Sequence, residues 1–466
     1  MLKNKKWFLL SVSLIFIISV YAQENSPFSR YGIGDNFPNQ TIQYRGIGGM
    51  TAAQGSQQAL NTNNPASYSD LYTSGSIGGL ATFDLGVGID SRTLKSVSPA
   101  ASYNSANFMP YYFSMGLPIA KKGFGLVFGL KPITRINYNV VKHNTLPIQG
   151  YPDSIEHYTS VYSGNGGLNQ VFLGAGKKIG NLSIGVNLGY DFGKKDIKTQ
   201  TAYDSAYSTG TDPSQIPTKG SIKDSLNTFG GFVWEAGLQY KAKLSERIDP
   251  ITKITSTYYL TFGLSGAIKQ NIHLKQSGAF YTYYAADANN PQAIDTVYST
   301  AVKKGTATLP LNYNIGVMLN NYSEGIEKWG VGMEYDAKKW ASDFRINNVP
   351  ETAFNNSWIL RGGAYFTPDP LRGKSFFSRA KYSLGFYTSK DNFALNNEDY
   401  KTNAITLGLG FMIRNFNRLS RQYSLMNTSL EIGRRGGSKN NYTENFFKFS
   451  IGFSLSDLWF TKRRYQ

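Results

Sequence analysis

Residues 446–456 read FFKFSIGFSLS, and they alternate without a break. Phe447, Phe449, Ile451, Phe453 and Leu455 fall on one side, and Lys448, Ser450, Gly452, Ser454 and Ser456 on the other. A period of two is that of a β-strand, whose successive side chains point to opposite faces. One face is apolar and aromatic, the other small and polar. Both features belong to a strand between lipid and a polar lumen.

The alternation recurs along the chain. Leu182, Ile184, Val186, Leu188, Tyr190 and Phe192 oppose Ser183, Gly185, Asn187, Gly189, Asp191 and Gly193. Trp329, Val331, Met333 and Tyr335 oppose Gly330, Gly332, Glu334 and Asp336, and Ile405 to Ile413 repeat the pattern. A soluble β-sandwich also alternates, but its outward faces carry more Lys, Glu and Thr and less Gly. The reading is all-β, a transmembrane antiparallel β-barrel of about 14 strands. The strands run near 80–91, 108–119, 123–142, 166–178, 182–198, 229–244, 256–280, 306–320, 329–338, 357–366, 379–390, 404–414, 421–434 and 443–456. The runs at 357–366 and 421–434 read as imperfect and are candidates for a kink or a subunit contact. Short gaps at 120–122, 179–181, 321–328 and 415–420 alternate with long ones at 143–165, 199–228, 281–305, 339–356 and 391–403, with 367–378 as the exception. Short periplasmic turns and long external loops alternate in this way. The mature tryptophans Trp234, Trp329, Trp340, Trp358 and Trp459 read as girdle residues at strand ends.

The N-terminus, MLKNKKWFLLSVSLIFIISVYAQ, reads as a signal peptide over 1–22: Lys3, Lys5 and Lys6, an apolar run from Trp7 to Val20, then Ala22 at the cleavage position. The apolar run is shorter than the ~20 residues of a spanning helix. The chain has no cysteine, which excludes a disulfide framework and lipid anchoring at a mature cysteine. Its formal charge of +18 falls to +15 without those three lysines. No nucleic-acid signature accompanies the excess, so it reads as loop and lumen surface facing anionic lipid.

Residues 23–79 lack long alternation but hold Phe28, Tyr31, Ile33, Phe37, Tyr44, Ile47, Met50, Tyr68 and Leu71, too many for an ordinary disordered tail. They read as an N-terminal hatch, or plug, ahead of a barrel over 80–460 and a short periplasmic tail over 461–466. Arg30 and Arg45 are expected to pair with the lumen acids Asp191, Glu235 or Glu334.

Two motifs in this segment carry a resemblance. Arg45-Gly46-Ile47-Gly48-Gly49 and Asn64-Pro65-Ala66-Ser67 resemble the hatch of FadL-like outer-membrane proteins, whose Asn-Pro-Ala turn precedes the first barrel strand. The motif is sharp over 45–71 and architectural elsewhere. The hatch motif residues are thus Arg45, Gly46, Gly48, Gly49, Asn64, Pro65 and Ala66. Pro65 fixes its own φ and pushes Asn64 to an extended conformation. The SRYGIGD opening and WFTKRRYQ ending look like the Bacteroidota branch. The resemblance implies passive uptake of hydrophobic small molecules through the hatch and a lateral opening. PorV-like members are instead accessory subunits, so a non-transporting subunit of a secretion or barrel-assembly machine stays open. Expected partners are outer-membrane lipids, with hydrophobic cargo or machine subunits, and no nucleic acid. The localisation implied is the outer membrane of a Gram-negative bacterium. No ligand-binding residue transfers.

No enzyme motif, cofactor or metal spacing is present. The histidines are His143, His157 and His273, and Ser277 lies too far along the strand from His273 to make a nucleophile–base pair. Ser154, Ser205, Ser225 and Thr296 each follow an aspartate and precede an aliphatic residue, in gaps read as external. They read either as O-glycosylation sites of the Bacteroidota kind or as ordinary loop composition.

Overall fold

A computed structural model describes residues 26–459 apart from 72, 75–77, 121–122, 149–150, 204–217, 252, 286–291, 351–353, 371–374, 376, 396–397 and 415–422. The signal peptide and tail expected at 1–22 and 461–466, and Ser205, lie outside the described residues.

The alternating runs close into a 14-strand antiparallel barrel. In chain order the segments are β1 Gly78–Ser96, β2 Ala101–Ala120, β3 Phe124–Pro132, β4 Thr134–Ile148, β5 Tyr151–Ile179, β6 Leu182–Tyr203, β7 Thr218–Ile248, β8 Thr255–Ala267, β9 Gln270–Ala285, β10 Gln292–Leu309, β11 Asn312–Ser323, β12 Ile326–Lys338, β13 Ser357–Phe366, β14 Lys381–Leu395, β15 Glu398–Arg414, β16 Tyr423–Arg435 and β17 Tyr442–Trp459. Closure is by β17 on β1, from Tyr442 opposite Ser96 to Trp459 opposite Gly79. Phe447, Phe449, Phe453 and Leu455 are exposed on the outside, and Lys448, Ser450 and Ser454 are buried within.

Three staves, read as the continuous runs 123–142, 256–280 and 306–320, are interrupted. The run 123–142 breaks at Ile133. There β3 leaves β2, pairing with it only from Phe113 to Ala120, and β4 turns to pair with β5 and with Asp35–Asn36. The run 256–280 breaks between β8 and β9. At that break the Gln270 amide replaces the backbone ladder: it accepts from Trp234 N at 2.7 Å and donates to Trp234 O at 2.9 Å. The third break, at Pro310-Leu311, separates β10 from β11.

Much of what read as external loop is strand. β5 and β7 have 29 and 31 residues, against the 9–11 that cross a membrane. Hairpins β4–β5, β6–β7 and β9–β10 therefore rise as a crest beyond the barrel, because their polar, β-branched residues still pair. Ser154 (in β5), Ser225 (in β7) and Thr296 (in β10) lie on these strands, not in loops. The 339–356 gap is not an open loop either. Its helix Trp340–Asp343 turns inward, and Trp340 packs on Phe344 and Phe354, so this tryptophan is no girdle residue.

The imperfect strands prove regular. On β13, Arg361 and Tyr365 point inward; on β16, Leu425, Asn427, Ser429 and Glu431 do. Their polar or bulky inner faces meet the N-terminal segment and its neighbours, which accounts for the irregular alternation.

Candidate functional site: the filled lumen

Residues 26–71 run inside the barrel. Each apolar cluster among the described residues contains at least one of them. Ile33 joins Phe229, Trp340 and Phe344; Tyr44, Ile47 and Met50 join Met318 and Tyr365; Phe37 and Ile42 join Tyr111 and Tyr112; Leu60 and Tyr68 join Phe172; Ala59 joins Tyr423; Phe28 joins Phe393 and Tyr400. The hydrophobic core of this molecule is thus the contact between the segment and its wall.

The motif Arg45-Gly46-Ile47-Gly48-Gly49 ends a one-turn helix, Ile42–Arg45. Gly48 and Gly49 sit at φ +76° and +80°, the left-handed region that favours glycine. A Cβ on Gly46 would stand 2.8 Å from Gly408 Cα of the wall. Wall glycines answer from the other side. A Cβ on Gly385 would meet Gly48 N at 2.1 Å, and one on Gly263 would strike the Ala52 carbonyl. The inward glycines therefore make room for backbone. Thr406 fastens the contact, its hydroxyl accepting from Gly48 N at 2.9 Å and donating to Gly46 O at 3.1 Å.

Asn64-Pro65-Ala66 opens the 3-10 helix Pro65–Asp70. Asn64 is extended at φ −132°, and its side chain accepts from Ala66 N at 3.1 Å, an N-cap with Pro at the first helical position. The same side chain donates to Ala52 O at 2.6 Å, tying two turns of the segment together. Gln239 of the wall donates to Ala52 O and Gln54 O.

Charged side chains tie the segment to the wall, by ion pairs and by hydrogen bonds to its backbone. Arg45 is buried and meets Glu431 at 3.2 Å while stacking over the Tyr111 ring at 4.2 Å. Glu431 also accepts from Lys448 Nζ at 2.6 Å and Tyr387 OH at 2.7 Å. Glu334 accepts from Thr51 N and Ala52 N, both at 2.6 Å, and from Arg361 at 3.2 Å. Nearer the long-hairpin end, Asp35 is held by a bidentate contact from Arg435 with both oxygens at 3.0 Å. Arg435 also bonds Asp391 at 2.6 Å, and Arg92 joins Asp90 and Glu444.

The expected partner of Arg45 is therefore corrected. Glu431 holds it, because the guanidinium lies against β16 and β17 and Glu334 is taken by Arg361 and two backbone amides. Asp191 accepts from Gln170 at 2.8 Å, and Arg30 offers its carbonyl to Lys195. The residues missed were Asp35, Glu431, Arg435 and Glu444. Glu431, Arg435 and Glu444 carried a signal, a charged side chain at an inward strand position, whereas Asp35 lies in the non-periodic segment and carried none.

Between segment and wall lies a cavity of about 370 Å³. Its lining is mixed: the charged Arg45, Asp191, Arg361 and Arg435 face it together with the apolar Leu168, Val233 and Trp340. Among the described residues no group of three or more His, Cys, Asp or Glu is placed to hold a metal. Ser225 and Thr296 are exposed on the crest, far along the chain from this interior.

A family model named BamG matches residues 1–466. The chain belongs to the BamG family. No curated protein matches it. Among solved structures, the toluene transporter TodX of Pseudomonas putida aligns at TM-score 0.50 and 11% identity, over 92% of this chain and 100% of that one. A FadL homologue of Pseudomonas aeruginosa gives 0.47 and 12%, over 91% and 98%, and the CymD monoaromatic hydrocarbon channel gives 0.44 and 13%, over 92% and 99%. At such identities the likeness is one of fold: this BamG-family member has a FadL-like β-barrel fold.

Proposed function

We propose that this BamG-family barrel is a non-conducting accessory subunit of an outer-membrane machine, the barrel-assembly machinery, with residues 26–71 as a fixed plug. The observation that carries this reading is the filled, charged lumen. An apolar molecule crossing it would have to part Arg45 from Glu431 and Asp35 from Arg435. Leaving one partner of a buried pair uncompensated costs about 3–5 kcal/mol. The family name supports the same reading. The crest supplies a surface for a partner. On its β10 side the ladder to a second neighbour is confined to Ala307 and Thr308, opposite Ile346 and Arg345, and exposed Ile294, Val297 and Val302 stand on that strand. A sheet edge of this kind accepts an added strand.

A second reading, uptake of hydrophobic small molecules, has one observation in its favour. Where β4 turns away from β2, the wall is completed by the segment itself, with Ser26 N donating to Asn137 O and Phe37 N to Ile133 O. Withdrawal of 26–37 would open the wall sideways.

Purification of the tagged protein from its own membranes in mild detergent separates the two. Stoichiometric recovery of barrel-assembly subunits is the expected result. A solitary barrel with a lipid-like molecule lodged between the segment and β2–β4 would overturn it in favour of uptake.

A further inference from the structure

On the outer wall, strands β14 to β17 and β1 bring five side chains to one level. Phe386 stands opposite Ile405, Ile405 opposite Ile432, and Ile432 opposite Phe447, with Ser91 completing the row. All four apolar residues are exposed. They border a groove whose floor is the backbone around Ala404 and Gly433. Below this level the outward positions remain apolar, as in Leu384, Leu407, Phe449 and Ile89. Above it they turn polar at once: Thr388, Asn403, Arg434, Asn445 and Thr93 form the next row, and Lys390, Lys401 and Lys95 lie one step higher. The end of the apolar band marks the edge of the hydrocarbon, so the cations stand at head-group height. The hairpins at this end are the long ones, which places it in the outer leaflet.

The charge here is predominantly positive. Asp399, the acid on these outward positions, is taken by Lys390 at 2.6 Å. Arg434 lines the groove, and Lys401 and Lys95 stand exposed one row above its rim. Arginine prefers planar, bidentate oxyanions, and phosphate is the oxyanion at this depth of a membrane. We infer that this groove binds a phosphorylated outer-leaflet lipid, its phosphate on Arg434 and Lys401 and its acyl chains along Phe386, Ile405, Ile432 and Phe447. The site lies outside the lumen and does not depend on whether the barrel conducts.

The test is native mass spectrometry of the full-length barrel in detergent, titrated with bisphosphorylated lipid A, with zwitterionic phosphatidylcholine and with inorganic phosphate. Wild type is expected to retain lipid A and not phosphatidylcholine. The pair Arg434→Glu and Lys401→Glu is expected to lower that retention by about tenfold or more, since each basic residue near an anionic surface is worth roughly 1 kcal/mol. Lys275→Glu, on β9 away from the groove, should retain lipid A as wild type does. If the charge reversal impairs folding, judged by heat-dependent gel migration, Arg434→Gln with Lys401→Gln decides the matter by an intermediate loss. Equal retention by wild type and folded variants overturns the assignment. So does a thermal shift from inorganic phosphate as large as that from lipid A, which would mark an anion site without a lipid.

Discussion

At the scale of single residues, Glu431 is the point where segment and wall are tied most tightly. One carboxylate serves Arg45, Lys448 and Tyr387, and Lys448 lies directly opposite it across the β16–β17 ladder. Lys448 and Tyr387 are held by their strand positions and Arg45 by the one-turn helix Ile42–Arg45. Removing the carboxylate leaves two buried cations uncompensated. Glu431→Ala should therefore destabilise the barrel by about 3–5 kcal/mol, read as a fall in melting temperature in detergent. Replacing Arg45 as well should cost less than the sum of the two single changes, because the pair is coupled. Strict additivity in that cycle would show that Arg45 and Glu431 do not interact. The existence of an inward charge at 431 was legible from the alternation on β16. Its partner was not, because register between residues 45 and 431 is set by how a non-periodic segment coils inside the wall.

At the scale of elements, the sequence showed where strands cross the membrane and missed how far they continue. Hydrophobic alternation marks only the lipid-facing stretch. Above it both faces of a hairpin meet water, and the apolar period that identifies a strand disappears while the ladder persists. The motif glycines were legible as a cluster but not as contacts, since what they leave room for comes from the other end of the chain. The crest makes a prediction of its own at Asp224, on β7 above the membrane. Burial, helped by the charge of Asp196, raises its carboxyl above the ordinary aspartate range, and Oδ1 has no hydrogen-bond partner. A raised folded value means that the protonated form is the one the fold prefers. The stabilisation is present below the unfolded value of about 4 and is lost as pH rises through the folded one. Asp224→Asn should thus raise hydrogen-exchange protection of the β7–β9 ladder at pH 7 and change little near pH 3. Equal gains at both would show that the charge is not what costs stability.

At the scale of the whole molecule, the decisive property is that core and lumen are the same place. A soluble sandwich packs sheet on sheet; here the inner face of the barrel packs on residues 26–71, and every apolar cluster among the described residues draws on that segment. The segment is therefore a structural element before it is anything else, and a transport route through the centre would dismantle the core. The mouth is closed a second time by Trp340, Phe344 and Phe354 over Ile33. The purified barrel in a planar bilayer should accordingly show no stable conductance. Deletion of residues 26–71 should either yield large, polar channels, since the wall behind is lined with Ser, Asn, Gln and charged groups, or prevent folding for want of a core. Trp340→Ala distinguishes plug from lid. Truncating this cluster should cost about 3–5 kcal/mol of local packing, yet the ion pairs at Arg45 and Asp35 remain, so conductance should stay absent. Stable openings from Trp340→Ala alone would mean that the lid, and not the segment beneath it, is what seals the barrel.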